Sequence, residues 1–192
     1  MKRIVILGAG GFAREVRWLL DEINAAALEW RFTGYVVTDL SRLGEHDDRE
    51  SVRGDVSWLE SHVSEVDALA VGIGNPAVRL ELGAALKKRL PGLSWPALVH
   101  PTVRIDRGSC TLGEGVLLCA GAIATVNVQF EAFSMVNLSC TIGHEAVIGE
   151  GAVLNPTVNI SGGVVLGRGV LVGTGAQILQ YVKVGDGATV GA

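Results

Sequence analysis

The sequence predicts a two-part chain. An α/β Rossmann-like βαβαβ domain is expected over residues 1–95, followed by a parallel β-helix over residues 96–192. Three observations carry this prediction. A sixfold repeat runs from Leu112 to Val190, a strand–glycine turn–helix pattern opens the chain, and a proline-rich join from Pro91 to Pro101 separates the two.

Every sixth residue from Leu112 through Leu118, Phe130, Ile142, Leu154, Leu166 and Ile178 to Val190 is large and apolar, with Ala124 the one exception among fourteen. Four places after each of the first thirteen sits Val, Ala, Ser or Cys, and seven of the fourteen are followed directly by Gly. A period of six fits neither a helix nor simple alternation, and it lies among the parallel β-helix repeats. Each hexad is then one short flat face, and three hexads make a triangular coil. Residues one coil apart stack at about 4.8 Å, the strand spacing of a sheet. Val103 to Cys110 reads as an imperfect first coil.

The N-terminal part starts with a strand, Lys2 to Leu7, running into Gly8-Ala9-Gly10-Gly11-Phe12-Ala13. Phe12, Val16, Leu19, Leu20 and Ile23 then share one helical face. Glycines in such a turn let a backbone approach a phosphate at the helix N-terminus. A second strand is expected at Thr33 to Val37, a loop from Asp39 to Asp55, and a third strand from Asp67 to Ile73. Asn75 as cap and Pro76 at the first helical position start a helix reaching about Leu90, with Leu82, Ala85, Leu86 and Leu90 facing inward. Ligands of such sheets sit beyond the carboxyl ends of the strands, so the turns at Gly11 and Gly74 should face one cleft. The glycine pattern points to a nucleotide or nucleotide-sugar more than to NAD. The first acidic residue after the second strand, Asp39, lies later than the dinucleotide fingerprint requires, and the domain is about half a full dinucleotide fold.

The net charge of −4 gives no broad basic footprint for nucleic acid or anionic membrane. No apolar run approaches the ~20 residues that span a bilayer. Met1 to Leu7 leads into a glycine turn rather than a cleavage site, so a cytoplasmic location is expected. Cys110, Cys119 and Cys140 have no metal-ligand spacing and read as small buried hydrophobes. A zinc enzyme would want about three His ligands, and the solenoid offers only His144, with His100 at its edge. The hexads are still in phase at Val190-Gly191-Ala192, so a cap over the last coil is expected, from a further segment or from another element.

A regular solenoid has no pocket of its own, so chemistry belongs on its outer wall. His144 sits two places after inward Ile142, pointing outward, with Glu145 next to it and Gly162 one coil on. Histidine beside a carboxylate can serve as a general base near neutral pH. A solvated surface histidine is the equal alternative from spacing alone. Asn137 and Asn155, one coil apart, read either as a stacked pair satisfying turn backbone or as a substrate contact at Asn137. His46 and His62 read as solvated, and His100, before Pro101, as a turn-shaping residue.

Gly8-Ala9-Gly10-Gly11, Gly72-Ile73-Gly74-Asn75, Leu98-Val99-His100-Pro101 and Asn137 to Gly149 with its Ile142-Gly143-His144-Glu145 core together resemble the NeuD/PglD-type sugar O-/N-acetyltransferases, hexapeptide-repeat acyltransferases. The resemblance covers essentially the whole chain. It implies a left-handed β-helix, a homotrimer with sites between subunits, and acetyl-CoA as acyl donor without a metal. It implies His144 as catalytic base and Glu145 as the carboxylate supporting it. Gly11, Phe12 and Ala13 would form the nucleotide-sugar turn with Gly74 opposite, and Gly162, Thr174 and Ala192 would line the acetyl-CoA cleft. The sequence departs from the family at Phe12, where relatives often carry a polar residue. It departs also at Tyr35-Val36-Val37-Thr38, where Asp39 is the nearest carboxylate, and at Val153 in place of a His. The expected activity is acetylation of the amine of a UDP- or GDP-linked 4-amino-sugar. Sialic acid or other sugar O-acetylation, a non-catalytic nucleotide-sugar-binding scaffold and an NAD-dependent reductase are the alternatives.

Overall fold

The computed structural model describes residues 1–192. Its contacts divide the chain into two units: Met1–Gly74 with Glu81–Pro96, and Asn75–Leu80 with Ala97–Ala192.

The first unit is built on four parallel strands, β1 (Lys2–Leu7), β2 (Trp30–Val37), β3 (Val52–Asp55) and β4 (Ala68–Val71), in the order β3-β2-β1-β4. Ile4 to Leu7 and Ala68 to Val71 are essentially fully buried. Continuous apolar runs of this kind suit a parallel sheet covered on both faces. Helices α1 (Gly11–Ala26), α2 (Val56–Ser61) and α3 (Pro76–Arg89) complete the fold.

Two local expectations are corrected. Asp39 to Asp55 is not loop throughout: it ends in the edge strand β3, preceded by two short 3-10 turns. Val52-Arg53-Gly54-Asp55 has one apolar residue, because an edge strand this short buries little and leaves no period to read. In α3 the buried positions are Pro76, Arg79, Leu80, Gly83 and Leu86, with Leu90 buried just beyond it, while Leu82 is half-buried and Ala85 is exposed. The helix turns an arginine and a glycine inward, a face that hydrophobicity alone does not reveal. Asn75 caps α3 as expected, its side-chain oxygen accepting from the Val78 amide at 3.1 Å.

The second unit is a left-handed parallel β-helix of two-residue strands on three faces. The first face runs from Leu98–Val99 to Thr189–Val190 with six strands, the second from Arg104–Ile105 to Gln177–Ile178 with five, and the third from Thr111–Leu112 to Lys183–Val184 with five. The hexad residues point inward: Phe130, Ile142, Ile148, Leu154 and Leu166 are all at or below 2% exposure. Val116, Val128, Cys140, Val158 and Val164, the small residues four places on, fill the corners of the same core. Each corner needs one residue of positive φ. Glycine supplies it at Gly151 and Gly163, but Asn127, Phe133, Ser139, Glu145, Thr157 and Tyr181 hold the same conformation with side chains.

The solenoid also starts earlier than the repeat suggests. Leu98–Val99 already pairs with Leu117–Leu118, and Arg104–Ile105 with Ile123–Ala124. These partners lie one residue further apart in sequence than pairs such as Met135 and Val153. The extra residue falls between Ile105 and Thr111 and puts the first two strands out of phase, which hides them from a strict sixfold count.

Arg79 is fully buried in this unit and donates from Nε and Nη2 to the Phe133 carbonyl at 3.2 and 3.0 Å. Burial pulls its pKa down to about 10, so it remains charged at neutral pH. Leu80 packs where side chains at Gly151 and Gly169 would otherwise stand.

Candidate active site

The turn from the second face to the third carries His144 and Glu145 on the outside, with side chains 45% and 59% exposed. His144 Nδ1 lies 3.4 Å from Glu145 Oε2. With the proton on Nδ1 donated to this carboxylate, Nε2 is left with its lone pair available, the tautomer a general base requires. The backbone holds both residues firmly. The Glu145 amide donates to Val126 O at 3.0 Å one coil before, and His144 O accepts from the Gly163 amide at 2.8 Å one coil after. Glu145 sits at φ +63°, a left-handed conformation maintained by this ladder.

A bare glycine beside an imidazole is expected from the sequence to leave room for a ligand to pass, and the structure differs. The bare glycine does not leave a passage; the imidazole fills it. A Cβ on Gly162 would stand 2.5 Å from His144 Nε2, 2.6 Å from Cε1 and 3.0 Å from Cδ2. The ring is laid along the prism, over the next coil, and only glycine permits that seat.

The remaining solenoid residues do not converge on this corner. Gly162 shares it, but Asn137, Thr174 and Ala192 lie on the corner that links the first face to the second. Thr174 and Ala192 are exposed there. Asn137 is 7% exposed, and its Oδ1 accepts from the Leu138 amide at 2.8 Å, so its side chain serves its own turn. One coil before His144 lies a concavity of about 540 Å³ lined by Val103, Arg104, Asp106, Ile123, Thr125 and Val126. The sequence carried a signal for it: Ile123 and Val126 are apolar residues at outward hexad positions, and both are exposed.

In the first unit a cavity of about 350 Å³ opens beyond the carboxyl ends of β1, β2 and β4, lined by Gly8, Gly10, Val37, Asp39, Arg42 and Asp47 among others. Gly8 needs its φ of +102°, and a Cβ there would meet Gly72 O at 3.0 Å. Helix α1 begins directly after Gly10 with no side-chain cap, so its first amides are available to an anion. Of the expected residues, Asp39 lines the cavity and Gly11 is exposed beside it. Phe12 is half-buried, and Ala13 is fully buried against Gly72, so Ala13 shapes the turn without presenting a side chain. Gly74 has open space around it. The Asp39 carboxylate accepts from the Ser41 amide and hydroxyl, which hold its pKa below the usual range.

Arg42 and Asp47 were missed because they sit in a charged stretch with no periodicity. Asp47 is 12% exposed, bridges to Arg14 at 2.7 Å and accepts from the Gly44 amide, fastening the loop beside the cavity. Arg42 is the exposed cation of that lining.

The other candidates are structural. His100 is buried, and its Nδ1 engages Thr102 Oγ1 at 2.8 Å and the Thr102 amide at 3.1 Å. His62 is not simply solvated: it stacks on Trp58 with centroids 4.6 Å apart. The cysteines are free; Cys119 and Cys140 are buried, and burial pushes the Cys140 thiol up to about 11. No group of three or more His, Cys, Asp or Glu is placed to hold a metal ion. No helix is long and apolar enough to cross a membrane.

A Rossmann-like unit with a cavity at its strand ends, followed by a hexapeptide-repeat prism, is the two-part build of the NeuD/PglD-type sugar acetyltransferases. The model of the PglD N-terminal domain family matches residues 3–86. Among solved structures, WeeI from Acinetobacter baumannii AYE is 25% identical over 100% of this chain and 89% of its own, with a TM-score of 0.82. PerB from Caulobacter crescentus, solved with CoA and GDP-perosamine, is 22% identical over 100% of this chain and 95% of its own, with a TM-score of 0.71. The acetyltransferase domain of PglB from Neisseria gonorrhoeae FA1090, solved with acetyl coenzyme A, is 21% identical over 100% of this chain and 96% of its own, with a TM-score of 0.51. Among curated proteins none matches.

Proposed function

We propose that the chain is an acetyl-CoA-dependent acetyltransferase acting on the amine of a nucleotide-linked amino-sugar, a UDP- or GDP-4-amino-sugar. The observation that carries this reading is the His144–Glu145 pair, seated on Gly162 with Nε2 directed away from the carboxylate. The cavity beside the uncapped start of α1 suits a nucleotide diphosphate, with Arg42 as its counter-cation. Structures of similar fold solved with CoA and GDP-perosamine, or with acetyl coenzyme A, point the same way.

When bound, acetyl-CoA supplies an acetyl thioester as acyl donor. His144 Nε2 takes a proton from the acceptor amine as that nitrogen attacks the thioester carbonyl, and gives it up to the CoA sulfur as the C–S bond breaks, so that amide and free thiol leave. Glu145 orients the ring through Nδ1 and supports the imidazolium that forms. Gly162, Thr174 and Ala192 serve the donor cleft. Because Gly162 lies on one corner of the prism and Thr174 and Ala192 on another, a single cleft using all three requires two chains. The assembly this reading takes is a homotrimer with sites between subunits, in which monomers are inactive. Gly11, Phe12, Asp39 and Gly74 belong to the acceptor side, with Ala13 acting through the shape of the turn, whereas the Asn137 side chain is engaged by its own turn.

Thermal-shift screening of nucleotide amino-sugars, followed by thiol release from acetyl-CoA with the hits, tests the reading. Turnover with an amino-sugar and not with sialic acid supports it. Turnover with a sugar hydroxyl alone favours O-acetylation. Binding without thiol release favours a non-catalytic scaffold.

A further inference from the structure

A second cavity in the first unit, about 300 Å³, is lined by Arg3, Arg31, Phe32, Thr33, Arg53, Trp58 and Glu65. It lies toward the amino ends of β1 and β2. Gly8 and Gly10 are beyond the opposite end of the six-residue strand β1, about 20 Å away at ~3.3 Å per residue. One small molecule therefore does not serve both.

The lining is organised around cations. Arg3 and Arg31 are register partners on neighbouring strands, an arrangement in which like charges repel. Asp67 holds Arg3 in a two-pronged pair, Nη2 to Oδ1 at 2.8 Å and Nε to Oδ2 at 3.0 Å, and so neutralises one of them. The register of β1 on β2 slips at Thr33, and there Arg53 Nε donates to the Thr33 carbonyl at 2.7 Å. Gly34, with φ +150°, makes room for that side chain; a Cβ there would stand 2.6 Å from Arg53 Cγ. Trp58 is steadied by the stacked ring of His62. Glu65 is the one carboxylate in the lining.

We propose that this cavity binds an organic phosphate, its phosphate held by Arg31 and Arg53 and its apolar body against Trp58 and Phe32. Guanidinium forks match phosphate oxygens two at a time, and a doubly charged group satisfies two arginines where a carboxylate satisfies one. The cavity is larger than an inorganic phosphate ion, which leaves space for the organic part beside the rings. The site is separate from the proposed acetyl transfer and does not depend on it.

Titration of the full chain with phenyl phosphate at constant ionic strength, read by calorimetry and tryptophan fluorescence, tests the proposal. The expected result is a single site that quenches fluorescence, with benzoate binding at least about tenfold more weakly. Replacing both arginines (Arg31→Gln with Arg53→Gln) weakens binding about tenfold or more, the scale of a lost charged hydrogen bond. Arg42→Ala, at the other cavity, leaves binding unchanged. Arg31→Gln alone breaks no recorded hydrogen bond and serves as the folded control; it should weaken phenyl phosphate and leave the melting temperature equal or higher. Equal affinity of the double variant, equal affinity for benzoate, or loss of binding only in Arg42→Ala would each overturn the site.

Discussion

Gly72 in the first unit makes room for a packed junction of strand and helix, and Gly162 in the prism makes room for an exposed imidazole. At Gly72 a Cβ would stand 2.8 Å from Ala13 Cα and 2.7 Å from Ile6 Cγ2, within the packed junction of β1, β4 and α1. At Gly162 the intruding atoms would be those of the exposed, rotatable ring of His144. The same absence of a side chain thus holds a fold together in one place and seats the proposed base in the other. The two regions differ correspondingly in where they keep a ligand. The sheet has a concave cavity at its strand ends. The prism has a filled core and carries the proposed base on a corner.

The largest effect that tests this contrast is expected from His144→Ala. It should lower the acetyl-transfer rate on the order of 10²–10⁴ while leaving the melting temperature nearly unchanged, as measured by thiol release and thermal denaturation. Normal turnover by this variant with the true acceptor would remove His144 from the mechanism. Gly162→Ala comes next. The added methyl displaces the imidazole, and misplacement of about 1 Å costs roughly 10² in rate. Stability should barely move, because the ring can swing into solvent. A collapse of stability in this variant would show that the corner is packed as tightly as the sheet. Gly72→Ala should do the reverse, costing about 1–3 kcal/mol by overpacking in a denaturant titration. Its effect on rate, once the protein is folded, should be the smaller one.

The smallest effect concerns the edge of the first unit. Arg3 holds the Asp67 carboxyl well below the usual range, through side-chain and backbone hydrogen bonds. A depressed carboxylate contributes stability in full above its unfolded pKa of about 4, and loses it as pH falls toward the folded value. The stability gap between the native chain and Asp67→Asn should therefore be constant at neutral pH and close below about pH 4. A gap that persists in strong acid would mean that the pair acts through packing rather than charge.

The hexads were legible because the same small set of residues recurs on every face, so burial and sequence carry one period. Leu98 to Ile105 fell within the expected β-helix but outside the strict count, because one extra residue before Thr111 breaks the phase without breaking the coil. The strand β3 escaped because a four-residue edge buries too little to leave a pattern. At the site, His144 and Glu145 could be placed from register alone, since outward positions follow from inward ones. The direction of the imidazole could not, because a side-chain torsion has no sequence period. Arg42 and Asp47 owe their places to a loop fastened by Arg14, a tertiary contact across 33 residues that no local pattern encodes. Arg79 was hidden for another reason: a buried charge is legible only once its acceptor, the Phe133 carbonyl, is known.

The prism can also be regarded as a ruler with three edges. Each coil returns the chain to the same edge one rung higher, about 4.8 Å along the axis. Removing one whole coil between His144 and Thr174 would shorten the ruler by a rung and leave every later residue on its own edge. Removing a single hexad would move all of them to the neighbouring edge, carrying Thr174 and Ala192 off the corner they share. The extra residue before Thr111 shows that the spacing tolerates slack at a corner. Reach and facing can therefore be altered independently in this chain, the first in steps of a coil and the second in steps of a hexad.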